Sequence, residues 1–365
     1  MPSPEHGGRE GARSGGGTVL ITGGAGFIGT NLAARLLADG GEVMVLDNLS
    51  RPGVEHNLQW LRETHGRRLH VHVAGLRDTG VVREAVAECD RIYHFASQVA
   101  VTTGLANPAA DFETNLRGTF DLLEAVRRCR HPPSVIYTST NKVYGALDDI
   151  DLETTATRHQ PRDATLRAHG IGESRRLDFH TPYGCSKGGA DQYVLDYARS
   201  YGIPATVLRL SCVYGPHQLG NQDQGWIAHF LLSALEGREI SVHGDGLQVR
   251  DALFVDDMVD ALLRCGERVE RMRGMAFNVG GGADSTTSVV ELLERVRALT
   301  GAVPGVRRQA ARPGDQRWYA SDTRAFAAAT GWSATVGLDA GLERLHDWLL
   351  AHRVARPAVA RSHAA

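Results

Sequence analysis

The hydrophobic positions of this chain fall into short apolar runs separated by segments of helical period. Thr18 to Thr22 is the first run, and after a cluster of glycines Leu32, Leu36 and Leu37 recur at the spacing of one helical face. Glu42 to Asp47, Leu69 to Val73, Arg91 to Phe95, Ser134 to Tyr137 and Ala205 to Leu210 are further runs, with helical segments alternating between them. Buried strands alternating with helices predict an α/β fold, a doubly wound parallel sheet. Beyond Ser211 the regularity breaks into loops rich in Gly, Gln and His, then resumes at Ala252 to Val255 and Met275 to Val279. A smaller, partly interleaved substrate-binding lobe is expected there. The organisation predicted is a polar, disordered leader over 1–17, a first domain over 18–211, and a lobe over 212–353 from which part of 252–265 returns to the first domain. A disordered tail over 354–365 completes it.

The turn after the first run reads Gly23-Gly-Ala-Gly-Phe-Ile-Gly29. Strand, glycine turn and helix in that order make a dinucleotide fingerprint, which Gly24, Gly26 and Gly29 satisfy by spacing. Bare backbone turns tightly there, approaches a pyrophosphate, and aims a helix N-terminus at the phosphates. Gly23, Gly26, Phe27, Ile28 and Gly29 are the candidate cradle. The second run ends in Asp47, followed by Asn48, where a carboxylate accepts hydrogen bonds from the adenosine ribose and repels a 2′-phosphate. NAD is therefore the expected cofactor, with Arg51 as the nearby guanidinium that a 2′-phosphate would need. Residues just past later strands complete the candidate cofactor set: Leu76, Phe95, Ala96 and Ser97.

Thr181 to Ala190 sets Tyr183 and Lys187 four residues apart on one predicted helical face. An ammonium near a phenol favours the phenolate, so Tyr183 is a candidate base and Lys187 a candidate ribose contact. The hydroxyl cluster Thr138 to Thr140 follows the fifth strand, where Thr140 is placed to bond the hydroxyl that Tyr183 deprotonates; local turn capping is the other use of such a cluster.

Composition narrows the class. A chain of 365 residues with a net charge of −2 has no basic surface for nucleic acid or anionic membrane, and no apolar run approaches membrane-spanning length. Five cysteines, at positions 89, 129, 185, 212 and 265, lack metal or redox spacing and suit a reducing cytoplasm. Cys185 is expected to pack. His70 and His72 share a strand face without an evident third ligand, so no metal site is expected.

Taken together, Gly23 to Gly29, Asp47-Asn48, His94 to Ala96, Asn115 with Gly118-Thr119, Val143 to Gly145, Tyr183 to Lys187, Arg250-Asp251 and Arg312 to Asp315 resemble the extended short-chain dehydrogenase/reductase family of NAD-dependent nucleotide-sugar epimerases, dehydratases and reductases. The resemblance spans Thr18 to about Trp348. It implies that Thr140, Tyr183 and Lys187 are catalytic, that Asn115 supports the site, and that Arg250 and Arg312 grip a nucleotide diphosphate. A planar guanidinium suits pyrophosphate, although either arginine can instead pair with Asp251 or Asp315. Gln98, Asn115, Asn141, Gln224, Arg250 and Arg312 are the implied substrate contacts.

Dehydratases of the family carry an Asp-Glu pair directly after the catalytic Thr, whereas this chain has Asn141-Lys142. Lys142 has two readings, orienting the substrate hydroxyls or reaching solvent, and the second is the expectation. Ser139 to Gly145, Arg176 to Lys187, Ala190 to Tyr193, Asp223 to Trp226 and the long insert from Ala146 to His180 resemble the subgroup of CDP-paratose 2-epimerases. That implies C2 epimerisation of a CDP-hexose or deoxyhexose through transient oxidation, with UDP-hexose 4-epimerisation, dehydration or reduction as the alternatives. Two departures stand out. Ala74-Gly75-Leu76-Arg77-Asp78 lacks the usual adenine-contacting Asp, leaving Asp78 as a substitute, and Ser97 replaces a common Gly. The helices over 109–128 and 183–200 build a dimer interface in relatives, which here implies a homodimer anchored by Phe112, Leu116, Tyr193 and Tyr197.

Overall fold

The computed structural model describes residues 17–352, so the expectations for the leader before Gly17 and for the tail lie outside the described residues. The first strands are β1 (Val19–Thr22), β2 (Val43–Asp47), β3 (Leu69–Val73), β4 (Arg91–His94) and β5 (Ser134–Thr140). With the strands Ala205–Leu210 and Ala276–Val279 they form one parallel sheet. Its order is Ala276–Val279, Ala205–Leu210, β5, β4, β1, β2, β3.

Strand period explains why the inner runs β1 and β2 are apolar almost throughout, whereas the edge strand β3 alternates with His70 and His72 and leaves Val73 exposed. Alternate residues point to opposite faces, and in the inner strands both faces are covered. Ile21, Val45, Tyr93, Ile136 and Leu208 pack with the helices α1 (Phe27–Ala38), α2 (Val54–His65) and Val255–Arg268. Leu20, Met44, Ile92, Val135, Tyr137 and Val207 pack on the other side with α3 (Thr79–Ala87), Gly118–Arg127 and Thr181–Ser200. Such two-sided burial is what distinguishes this sheet from an amphipathic one.

The smaller lobe is built mostly from residues after Ser211. Val249–Phe254 is its central strand, paired with Cys212–Tyr214, Thr286–Ser288 and Trp318–Tyr319. A two-stranded unit, Ile240–His243 with Val306–Gln309, lies beside it. The long insert forms a hairpin, Leu152–Thr154 with His159–Pro161, and the helix Ala164–His169. Part of 252–265 returns to the first domain as expected, and the return also takes in a strand expected in the lobe. Ala252 to Phe254 stays in the lobe sheet, whereas the helix Val255–Arg268 and the strand Ala276–Val279 both join the first domain. A lone apolar run carries no mark of which sheet edge it will pair with, and that edge was open beside Ala205–Leu210.

Chain order reverses between β1 and β4, so a crevice opens past their carboxyl ends. Among the described residues no helix is long and apolar enough to cross a membrane, and no three His, Cys, Asp or Glu side chains gather as a metal donor set.

Candidate active site

A cleft of about 850 Å³ runs from the glycine turn, past the ends of β4 and β5, into the small lobe. At one end Gly23, Gly26, Phe27, Ile28 and Gly29 line it, with Asp47, Asn48, Leu76, Phe95, Ala96 and Ser97. The turn admits no side chains. Gly23 has φ +70, and a Cβ there would stand 2.7 Å from Ala96 N; one on Gly29 would stand 2.5 Å from Gly23 O. Helix α1 starts at Phe27 with no side chain capping its first N–H groups, which leaves them for an anion. Gly24 is a correction to the spacing argument: its Cβ would strike Val45, so it packs on β2 and lies outside the cleft lining. Gly23, Gly26 and Gly29 remain as the bare backbone that lines the cleft at this turn.

Asp47 ends β2 with Oδ2 accepting from Ala25 N at 3.0 Å and Oδ1 from Leu49 N at 2.9 Å. Burial raises its pKa while these backbone donors pull it down. A carboxylate oxygen has lone pairs to spare for ribose hydroxyls. Arg51 is committed elsewhere, donating to Leu219 O across the cleft at 3.0 Å, so the guanidinium that would favour a 2′-phosphate is engaged. Asp78 accepts from Gly75 N at 2.8 Å, closes its own turn and does not line the cleft, so it does not replace the missing adenine contact. The residues present fit NAD.

Thr138, Ser139, Thr140, Tyr183 and Lys187 line the middle of the cleft. Thr140 ends β5, and Tyr183 and Lys187 project from the first two turns of the helix Thr181–Ser200, which has Pro182 in its first turn. Thr181 enters that helix at φ +64, a strained conformation for a β-branched residue, and its hydroxyl accepts Gly184 N at 3.3 Å. Burial pushes the Tyr183 phenol up to about 12, opposed by its hydrogen bond with Thr140. Burial also drops the Lys187 ammonium to about 7, against the pull of Asp191 and Asp111. The expected help from Lys187 to the phenolate is not made in this arrangement. Its Nζ donates to Thr138 O at 2.6 Å and lies 4.2 Å from the centre of the Tyr137 ring.

Asn115 belongs to a buried support, not to the lining. Its carboxamide oxygen accepts Gln98 N at 2.8 Å, and its nitrogen donates to Gln98 O at 3.0 Å and Ser186 Oγ at 3.0 Å. Glu113–Arg117 is a π-helical stretch, which widens the turn and sets Asn115 toward β4. Behind it, Thr119 donates to Asn115 O at 2.6 Å, so it accepts from His94 Nε2, and His94 Nδ1 accepts from Thr22. Burial lowers His94 to about 3, which keeps it neutral in this chain of bonds. Ser186 donates to the buried Asp111. His94, Asp111 and Ser186 were missed as support because nothing local marks them; each acts only through a partner distant in sequence.

The far end holds the other candidates. Asn141, Gln224, Arg250 and Arg312 all line the cleft, and Gln98 does so with its amide folded back on Ala100. Arg250 pairs with Asp315 at 2.5 Å and Arg312 with Asp223 at 3.3 Å, so of the two expected acidic partners Asp315 is used. Asp251 instead caps the lobe, accepting from Ser211, Gly282 N and Ser321 N. Lys142 overturns its expectation. Its side chain turns into the cleft, where Nζ reaches Gly314 O at 3.2 Å and Asp315 at 3.4 Å. Gln316 fixes the floor beneath, donating to Asn141 O and Gly145 O. Ser139 Oγ lines the cleft, buried and without a partner among the described residues. Cys185 is exposed, because two residues of helix rotate it away from the face of Tyr183. Of the four residues expected as dimer anchors, Tyr197 is buried and bonds Glu124, Leu116 is half-buried, and Phe112 and Tyr193 are exposed.

Comparison with known proteins agrees with this geometry. The model of the NAD dependent epimerase/dehydratase family matches residues 19–280. CDP-paratose 2-epimerase of Salmonella typhi is 40% identical over 337 residues, which is 90% of this chain and 98% of that protein. UDP-glucose 4-epimerase of Thermotoga maritima, solved with UDP-glucose, superposes with a TM-score of 0.77 at 30% identity, covering 92% of this chain and 99% of that one. A double mutant of dTDP-glucose 4,6-dehydratase from Streptomyces venezuelae, solved with NAD, gives 0.78 at 29% identity, covering 92% and 98%.

Proposed function

Because the chain belongs to the NAD-dependent epimerase/dehydratase family of nucleotide-sugar enzymes, we propose that it inverts C2 of a CDP-hexose or deoxyhexose, the CDP-paratose to CDP-tyvelose type of reaction. The observation that carries this reading is the near full-length similarity to the Salmonella typhi 2-epimerase. The cleft supports epimerisation over dehydration on chemical grounds. Its carboxylates are Asp47, Asp223 and Asp315, and each is engaged: by Ala25 and Leu49, by Arg312, and by Arg250 with Lys142. No unpaired carboxylate stands after Thr140 to act as base in an elimination.

NAD, when bound, supplies a hydride acceptor that later returns the hydride to the same carbon. Tyr183 takes the proton of the sugar hydroxyl at that carbon and gives it back once the configuration has changed. Thr140, in hydrogen-bond contact with Tyr183, aligns the hydroxyl and holds the phenolic oxygen. Lys187, held by Thr138 O and the Tyr137 ring, would bond the ribose of bound NAD. Arg250 and Arg312 hold the diphosphate while the sugar turns, and the Asn115 and His94 network keeps Gln98 in place. Gly23, Gly26 and Gly29 with Asp47 retain the cofactor through the cycle.

The test is proton NMR of CDP-paratose, and separately of CDP-, GDP- and UDP-hexoses, in deuterated water without added cofactor. Inversion at C2 without solvent deuterium is the expected result. Inversion at C4, or a keto-deoxy product bearing deuterium, would reject the reading. We further propose a homodimer through the helices that expose Phe112 and Tyr193; a monomer mass by light scattering at all concentrations would reject it. The free cysteines are consistent with action in the cytoplasm.

A further inference from the structure

Lys142 is a cation beside Thr140 in the cleft that the chemistry above leaves without a role toward substrate. It lies two residues past Thr140 in the 3-10 turn Asn141–Tyr144, and its backbone N–H donates to the Thr140 hydroxyl at 3.2 Å. This turn fixes the side chain next to the reacting end of the cleft. An ammonium carries three N–H donors. Two are spent on Gly314 O at 3.2 Å and Asp315 Oδ1 at 3.4 Å, and the third has no protein partner among the described residues. Asp315 gives its shorter contact, 2.5 Å, to Arg250, so Lys142 is the more loosely held of the two cations. The base under it is rigid, because Gln316 is fully buried and ties Asn141 O to Gly145 O.

We propose that Lys142 is a specificity-determining residue whose unspent N–H donates to an oxygen of the sugar other than the one Tyr183 deprotonates. The inference rests on the nucleotide-sugar reading and deepens it by naming the group that reads the sugar. A fixed donor on a largely enclosed cation discriminates strongly, since a sugar lacking the matching oxygen leaves the charge desolvated and unpaired. The diphosphate, by contrast, is left to Arg250 and Arg312.

The experiment compares wild type, Lys142→Met and Lys142→Arg, each checked for NAD content and melting temperature. Calorimetry measures binding of CDP and of CDP-hexoses with and without single hydroxyls, and kinetics follow for any nucleotide sugar the wild type inverts. Lys142→Met is expected to weaken nucleotide-sugar binding ten- to a hundredfold while CDP binding changes less than twofold, with KM rising more than kcat falls. Lys142→Arg recovers part of the loss. One deoxy analogue should lose the same factor on wild type and nothing further on Lys142→Met. Equal loss for CDP and for sugar nucleotide would overturn the proposal, because Lys142 would then act through Asp315 on Arg250 and the diphosphate. No loss for either would also overturn it. Since binding is the primary readout, a wild type that inverts C4 or none of the panel rejects the C2 reading while the CDP-against-sugar comparison still decides this one.

Discussion

Lys187→Met should make the cofactor-free protein more stable at neutral pH while abolishing turnover. Burial holds the Lys187 ammonium at about 7 instead of 10.5. At pH 7 the unfolded chain therefore gains about 4 kcal/mol from protonating this lysine that the folded chain does not, at about 1.4 kcal/mol per pH unit. Methionine removes that penalty and fits the same apolar stem. It also forfeits the bond to Thr138 O and the contact with the Tyr137 ring, together about 2 kcal/mol. The expected net is a gain of about 2 kcal/mol. The sign with pH follows from proton counts. Between pH 7 and 10.5 the unfolded wild type binds more protons than the folded, so wild-type stability rises with pH across that window, whereas the variant lacks this contribution. The advantage of Lys187→Met should shrink above pH 7, vanish near about pH 9 and be reversed at pH 10. Urea unfolding of both NAD-free proteins at pH 7, 8.5 and 10 measures it, and background titrations cancel in the difference. A variant less stable than wild type at pH 7, or an advantage constant with pH, would refute the reasoning.

Tyr183→Phe should retain NAD yet lose turnover by about three orders of magnitude or more, read as kcat at saturating substrate; near-normal activity would remove Tyr183 from its role. Gly29→Ala should lower NAD affinity at least about tenfold, since its Cβ must displace the Gly23 and Gly24 backbone, and fluorescence titration of the stripped protein checks this. Asp191 and Arg209 form a buried bidentate pair, with bonds of 2.9 and 3.0 Å, between the helix of Tyr183 and the strand Ala205–Leu210. Asp191→Asn or Arg209→Met alone should each cost about 3–5 kcal/mol in urea unfolding, and the combined variant clearly less than their sum.

Much of the site could be read from the chain because its parts are local. The glycine turn, Asp47 at the end of β2, and Tyr183 with Lys187 on one helix face are each set within a few residues by backbone geometry. What could not be read depends on contacts between distant segments. Lys142 looked like a solvent residue because nothing near it signals Asp315 and Gly314, which arrive from about 170 residues away. Gly24 and Gly26 both satisfy a spacing rule, and only the packing of Val45 against Gly24 separates them. Tyr197 reads as an exposed anchor until Glu124 and Phe120 cover it.

Period and punctuation in the sequence determined the sheet class and the cofactor type, and set Tyr183 and Lys187 on one helix face, because each follows from local sterics and from which faces must be buried. Tertiary structure alone decided that Ala276–Val279 returns to the edge of the first sheet, and that Asn115 gives its support through Gln98 and Ser186. It also decided the charge states. Tyr183 and Lys187 depart from their ordinary pKa values chiefly through desolvation, a property of everything packed around a group, and no spacing of residues along a chain encodes it.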